Sequence, residues 1–460
     1  MIVCSTPKID GHYDFFTGLI TLDKFSENEL SLVNLAISNT PPPLNTEQAI
    51  NLRNIRALVK HEITHFLDHT TTIWGLEFLY RRRRLVQALR DAGPDVKQRI
   101  DVYLLNLAEL QMHSHLIKVH KHVSFNQCDT VKHNLLYDKR YGPIIIINFF
   151  QGHNLVCDVP LSMLSLLEAN AIANEYLARF DDLVCMDIEN KSIAEAVVER
   201  RLQKILNAAE LSEYSVLIRL ALIHFTFLDT RQILSYMSAL ASFCLNLSMY
   251  SLGAIIENIR HSFDNKEVGN GIWADLSRGM SRHVIAFKTI LFMHAWINQA
   301  PVEKRQHLIA IMISTPYNAI EMFWKEHRWD DIIGIELGIS LTLELFKKQN
   351  FNEELNIVEQ ALNRNTKWRQ QKSLINLQFN EIACLDILLG DDTVISSPQR
   401  IDFDVLGHSY AVIDIYNEFD NLIADGIKKF HMPLQQASVM LETILTQKEA
   451  AQSKTRRAGS

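Results

Sequence analysis

Residues 45–69 read NTEQAINLRNIRALVKHEITHFLDH, and this stretch decides the fold. Asn45, with Gln48 three residues on, has capping-box character and predicts a helix from there to about Asp68. With His61 as the zero of a helical wheel, Leu52, Ile55, Val59, Ile63 and Phe66 cluster at about 120–200° and form the core face. Asn54, Ala57, Thr64 and Asp68 lie on or near the histidine side, which is mostly small or polar. Within this helix His61-Glu62-Ile63-Thr64-His65 is an H-E-x-x-H motif. Positions i and i+4 stack one turn apart, so both imidazoles can reach one tetrahedral Zn²⁺ at ~2.0–2.1 Å. Glu62, about 100° round, can contact a water at the metal without ligating it. The expectation is a pair of histidines at the edge of the buried stripe, beside a cleft; the bland reading is two surface histidines.

Zinc needs a third protein ligand. In the pattern H-E-x-x-H-x-x-G-x-x-H the glycine and third histidine would stand where this chain has Asp68 and Thr71, which excludes a metzincin. His69 is eight residues after His61, ~12 Å along a straight helix, too far to share the ion unless the helix breaks. Glu168 is the choice. It sits in LSMLSLLEANAIANEYLARF (residues 161–180), a predicted helix, in an otherwise apolar turn just after a hairpin, and faces the same way as Glu175. The competing role for Glu168 is a helix salt bridge, and His69, Asp68 and His153 remain alternatives.

Outward from the motif, residues 12–22 (HYDFFTGLITL) read as a short strand pair and Pro41–Pro43 as a break. Helical stretches follow over 75–90, closed by Gly93-Pro94, and over about 96–122; 123–140 looks irregular. After Gly142-Pro143, IIIINFF and LVCDV flank Gln151–Asn154 as a β-hairpin. From about Asp182 to residue 390 nearly everything reads as helix, 391–403 as a weak loop, and strand is expected only in the first 160 residues. The predicted class is therefore α+β and predominantly α-helical. It comprises an N-terminal domain with a small β segment (1–185), zincin-like in its resemblance to known zinc metallopeptidases, a large all-α substrate or partner domain (186–445) and a flexible polar tail (446–460).

Composition agrees. Only 16 glycines and 11 prolines occur in 460 residues, about half the usual ~12% share, which excludes collagenous and low-complexity chains and argues against an all-β protein. The net charge of −7 gives no reason to expect nucleic acid or anionic membranes as partners. Six cysteines without a C-x-x-C pair match a reducing compartment, and no signal peptide is evident, so the expected location is cytoplasmic. Gln232 to Ile256 carries no formal charge and is long enough to span a bilayer, but its serines make a buried core helix the better reading.

HEITHFLDHTTTIWG followed by LLEANAIANEYL resembles a gluzincin-type zinc metallopeptidase, and the second segment is similar to the E-x-x-A-N-x-F-A pattern of ImmA/IrrE-type metallopeptidases. The likeness covers about 120 of the 460 residues. It implies zinc held by His61, His65 and Glu168, with Glu62 as general base in peptide-bond hydrolysis and a protein or peptide as substrate. His153 and Tyr176 are the candidate oxyanion donors, and an edge strand from 15–22 or 144–150 would hold an extended substrate. The chain departs from the family at Ile172, four residues after Glu168, where thermolysin-like enzymes have an Asp that orients a zinc histidine. It also departs in the long spacing between the motifs. The alternative function is a non-enzymatic helical interaction protein with a structural or vestigial zinc site; a fourth ligand such as His69 or Asp68 would favour it.

Other signals carry less. His113, His115, His120 and His122 resemble a metal cluster but form pairs two turns apart, ~10.5 Å, on different sides. Arg81–Arg84 with Arg90 reads as a solvated basic face. Glu62–His65 is also an E-x-x-H, but the second copy that a di-iron bundle needs is missing. Arg278–His283 fits R-x4-H, as Arg56–His61 does, so that ribonuclease-like spacing discriminates nothing.

Overall fold

A computed structural model describes residues 10–15, 17–37, 46–91, 116, 118–120, 125–138, 142–183, 188–208, 211–263, 266–277, 281–327, 334–371, 379–405 and 407. The chain opens with strands β1 (His12–Asp14) and β2 (Leu19–Leu22), then helices α1 (Leu30–Ile37), α2 (Thr46–Thr71) and α3 (Ile73–Asp91). Strands β3 (Lys118–Val119), β4 (Thr130–Asp138), β5 (Gly142–Gln151) and β6 (Asn154–Pro160) lead into α4 (Met163–Asp181). Helices α5 (Ile188–Asn207), α6 (Ser212–His224), α7 (Thr230–Leu245), α8 (Met249–Arg260), α9 (Lys266–Ser277) and α10 (Arg282–Gln299) follow. Then come α11 (Val302–Ser314), α12 (Pro316–Glu326), α13 (Gly334–Lys348), α14 (Asn352–Arg364) and α15 (Thr366–Gln371). Strands β7 (Ala383–Cys384), β8 (Ile387–Leu389), β9 (Val394–Ile395) and β10 (Gln399–Arg400) close the described chain. The class is α+β and mainly helical, as the composition implies.

The core face of α2 is the one the wheel gives: Leu52, Ile55, Val59, Ile63 and Phe66 are buried. Its second half, from His61 on, is buried on every side, so the predicted cleft edge is corrected. The opposite side is covered by α4 and by β1. Helix α4 is capped by Ser162, whose hydroxyl accepts from the Ser165 amide, and its small residues Ala169, Ala171 and Ala173 let α2, α6 and α7 close in on it. At the end of α2 the hydroxyls of Thr70 and Thr71 bond back as second donors to the Phe66 and Leu67 carbonyls, and the Thr72 hydroxyl donates to the Asp68 carbonyl, one of the acceptors the helix end leaves open. Gly75 lets α3 start there: a Cβ would stand 2.2 Å from the Asp68 carbonyl oxygen.

Two four-stranded sheets flank the helices, ordered β1-β2-β8-β9 and β3-β6-β5-β4. In the second, β5 turns through Gly152, at φ +59°, into β6. Its Ile145, Ile147 and Phe149 enter the main core while Ile144 and Ile146 form a small cluster on the other face. Residues 130–138, expected to be irregular, pair along all of β4 with β5; Val131 and Leu135 pack on the core with His133 between them against the Phe287 ring, so a polar residue in the inward set hides the two-residue period. The helix predicted to reach His122 also needs correction, because Lys118–Val119 pair with β6; most of that prediction, including His113 and His115, falls outside the described residues, as does the 446–460 tail. The largest correction concerns 383–400, expected to contain no strand. There Ile387–Leu389 and Val394–Ile395 form a hairpin whose β8 runs parallel to β2, so the region beyond 186 is not all-α. Strands this short carry too few residues to show a two-residue period.

One cluster of buried apolar side chains runs from Tyr13 through Ile172 and Leu240 to Leu389, and α4 packs on α6 and α7 across the position expected as a boundary. The uncharged stretch 232–256 is broken between α7 and α8. No single described helix is long and apolar enough to cross a membrane; this pair passes only as two helices bent by 112°, and most of α7 is buried in the protein.

Candidate metal centre

His61 and His65 project from α2 toward Glu168 on α4. Their ring centroids are 5.1 Å apart, and Glu168 Oε2 lies 3.3 Å from His61 Nε2 and 3.5 Å from His65 Nε2. One ligand atom from each of the three residues falls within 4.8 Å of the others. Relative exposures of 4%, 0% and 0% for His61, His65 and Glu168 show a group sealed from solvent.

Whether an ion fits is answered by the unpartnered polar atoms. Both Glu168 carboxylate oxygens, both His65 ring nitrogens and Glu62 Oε2 are buried without a hydrogen-bond partner; the 3.3 and 3.5 Å contacts are within ion-pair reach but not aligned as hydrogen bonds. Leaving such atoms unsatisfied costs about 1–3 kcal/mol each. A cation among the three donors would satisfy them at once, and two imidazoles with one carboxylate suit a borderline-soft divalent ion. The residues therefore fit, and this buried group could hold a metal ion.

The electrostatics point the same way. Burial alone would raise the Glu168 carboxyl, but His65 and His61 outweigh it and hold it down at about 2. Burial lowers His61, yet Glu168, Glu175 and Glu62 together leave it well above the ordinary histidine value. His65 is lowered by burial. Burial pushes Glu62 up to about 8, with Glu168 and Glu175 adding to the shift against His61; a cation in the group would pull it back down.

Around the three residues the packing is specific. His61 Nδ1 donates to Glu175 Oε2 at 3.1 Å. Glu175 Oε1 accepts from Arg179 Nε and Nη2 at 3.0 and 2.8 Å, and Arg179 Nη1 donates to Asn54 Oδ1 at 2.9 Å. Burial would raise Glu175, but Arg179 and His61 hold it low. His65 is bounded instead by aromatic rings, Phe15 at 5.5 Å and Tyr13 at 6.3 Å.

The alternative ligands are engaged elsewhere. Asp68 accepts from Asn170 Nδ2 at 3.0 and 2.8 Å, and Asn170 Oδ1 accepts from Asn174; burial raises Asp68 to about 8. His69 Nδ1 meets the Tyr13 hydroxyl at 2.6 Å. His153 is exposed in the β5–β6 turn, with all seven residues of β6 between it and the approach to α4. Tyr176 lies two turns beyond Glu168, ~12 Å along α4, with the Arg179 guanidinium 5.4 Å from its ring centre. Two phenols border the centre: Tyr13, whose hydroxyl is taken by His69, and Tyr214, at the start of α6, 6.3 Å from the His61 ring. Nothing in its own stretch, LSEYSV, signals that. Neither expected substrate-pairing strand has a free edge: β2 lies between β1 and β8, and β5 between β4 and β6.

The other sequence signals settle into ordinary roles. His120 pairs with Asp158 at 2.9 Å. Arg83 pairs with Glu354 at 3.4 Å and lies over the Phe351 ring. A cavity of about 600 Å³ is lined by Thr71, Ser242, Asn246, Trp368 and Arg369 among others; it meets α2 only at its last residue and shares no side chain with the metal group. Comparison with known protein families, with curated proteins and with solved structures found no match in any of the three.

Proposed function

We propose that this protein is a zinc-dependent metallopeptidase of gluzincin type, hydrolysing peptide bonds in a protein or peptide substrate. The observation that carries this reading is the convergence of His61, His65 and Glu168 on one point, with Glu62, coupled electrostatically to His61 and Glu168, keeping its Oε2 buried without a hydrogen-bond partner. Zinc held there would supply Lewis-acid activation of water and of the scissile carbonyl. Glu62 takes the proton from the attacking water and delivers it to the leaving amine, so the general base ends as it began. His61 and His65 would hold the ion through Nε2, the nitrogens facing Glu168. The Tyr214 hydroxyl, the phenol nearest His61, is better placed than Tyr176 or His153 to donate to a developing oxyanion. The buried free thiols of Cys128, Cys157, Cys244 and Cys384 suit a cytoplasmic setting.

The burial of all three donors favours a second reading, a structural or vestigial zinc site in a helical interaction protein. Against it, a structural zinc site has four protein ligands; the described residues supply three, with Asp68 and His69 bonded elsewhere. Metal content and turnover separate the two. The peptidase reading expects about one zinc per chain, strongly depleted in Glu168→Ala. It also expects peptide cleavage that Glu62→Gln abolishes while zinc content is nearly unchanged. Cleavage that survives Glu62→Gln would sink the mechanism.

A further inference from the structure

The two histidines of the centre are supported differently. His65 Nδ1 has no hydrogen-bond partner, whereas His61 Nδ1 is held by Glu175. In the likeness stated above, the orienting acid stands four residues after the ligand glutamate; here that position is Ile172, buried in the apolar core. Seven residues on a helix return within about 20° of the starting direction, against about 40° for four, at ~10.5 Å of axial rise. Glu168 and Glu175 therefore share one face of α4 two turns apart, and the His61 ring spans them, Nε2 toward Glu168 at 3.3 Å and Nδ1 toward Glu175 at 3.1 Å.

Resting on the metal-site reading, we propose that Glu175, clamped by Arg179, is the positioning residue of this centre and sets its metal affinity through His61. A carboxylate only accepts, so His61 carries its proton on Nδ1 and presents the Nε2 lone pair to the ion. Arg179 does two things for that bond. It balances the charge of Glu175, and by occupying Oε1 it leaves Oε2 to the imidazole. Its remaining arm returns to Asn54 on α2, seven residues before His61. The contacts thus close a ring from His61 to Glu175, Arg179 and Asn54 and back along two turns of α2. A ring of this kind fixes the rotation of the imidazole as well as its tautomer. The polar group that orients a metal ligand is worth about 10–100-fold in affinity.

The test is the zinc dissociation constant of the full chain by chelator competition, with the visible spectrum of the Co²⁺-loaded protein as second readout. Glu175→Leu, which removes the acceptor, is expected to weaken zinc binding by about 10–100-fold and to alter the Co²⁺ bands. Glu175→Gln, which keeps an acceptor but loses the charge, should fall between Leu and the parent. Asn54→Ala opens the ring at its far corner without touching the buried carboxylate and should weaken binding severalfold, which keeps the proposal testable if Glu175→Leu does not fold. Asp68→Asn, at a residue also buried between α2 and α4 but outside the ring, should leave zinc affinity within about twofold; this separates positioning from general loosening of the α2–α4 interface. Folded Glu175→Leu protein that binds zinc as tightly as the parent, with unchanged Co²⁺ bands, overturns the positioning role alone. A parent chain that binds no zinc overturns the metal-site reading and this role with it.

Discussion

Replacing Glu168 by methionine separates a metal ligand from a helix salt bridge, because the two roles predict opposite balances of stability. In the metal-free protein both Glu168 oxygens are buried without a hydrogen bond, a cost of about 1–3 kcal/mol for each unsatisfied group set against the attraction of His65 and His61 that keeps the carboxyl ionised. Methionine fills a similar volume without polar oxygens. In the variant His61 keeps Glu175 as partner, and with Glu168 gone one of the acids that raise it is removed, so its imidazole is more readily neutral. The metal-free variant is therefore expected to equal the parent or exceed it by about 1–3 kcal/mol, as when buried ionic groups yield to apolar ones. Zinc reverses the order. At a free concentration of 100 times Kd it stabilises the parent by about 2.7 kcal/mol and the variant by almost nothing. At ~2.1 cal/mol/K per residue, unfolding of the chain as one unit carries ~1 kcal/mol/K, so the parent's melting temperature should rise about 3 °C with zinc and the variant's should not. Paired thermal melts in chelator and in buffered zinc read this directly. A variant about 3–5 kcal/mol less stable without metal would identify Glu168 as half of a structural ion pair and refute the reasoning.

Two further outcomes follow from residues around the centre. Burial raises Asp68 to about 8 in the fold against about 3.9 unfolded, so the folded state binds the extra proton; its contribution is complete below about pH 4 and is lost as pH rises through about 8. Denaturant titrations of the metal-free protein from pH 5 to 8.5 should show stability falling, and Asp68→Asn should flatten the fall; an unchanged slope in that variant would contradict the assignment. Gly75→Ala would set a methyl 2.2 Å from the Asp68 carbonyl oxygen, and backbone cannot swing aside as a side chain can. A loss of about 1–3 kcal/mol is expected in chemical unfolding, and a neutral result would mean α3 does not meet α2 this closely.

What the sequence revealed divides along contact range. His61, Glu62 and His65 were legible because their relation is one helical turn, and the apolar wheel of α2 placed its core face correctly. Glu168 was legible as the acid of the next apolar helix after a hairpin. Glu175 was noticed as facing the same way, but its role needed the His61 ring to arrive from a helix over a hundred residues earlier. Tyr214 carried no local signal. The wheel also suggested an open histidine side. What covers that side, Tyr13 on β1, Phe15 just after it and the body of α4, is supplied by segments remote from α2, and periodicity within one helix says nothing of its neighbours. Strands β7 to β10 were missed because each is two or three residues long, too short to show a period, and β8 takes its second neighbour, β2, from the far start of the chain.

The parallel pairing of β2 with β8, Thr21 with Leu388 and Leu22 with Leu389, has a consequence for how the protein comes into being. Closing a chain segment of that length carries an entropic toll that later contacts must recover, and folds dominated by such contacts form slowly. During synthesis at about 5–20 residues per second, β2 waits tens of seconds for its neighbour to leave the ribosome. The hairpin carrying Tyr13 against His65 meanwhile has an unpaired edge and little sheet behind it. The H-E-x-x-H helix is made early, but the sheet behind Tyr13 gains its β8 neighbour only more than three hundred residues later, so the support of the strand that covers His65 is a late event in folding.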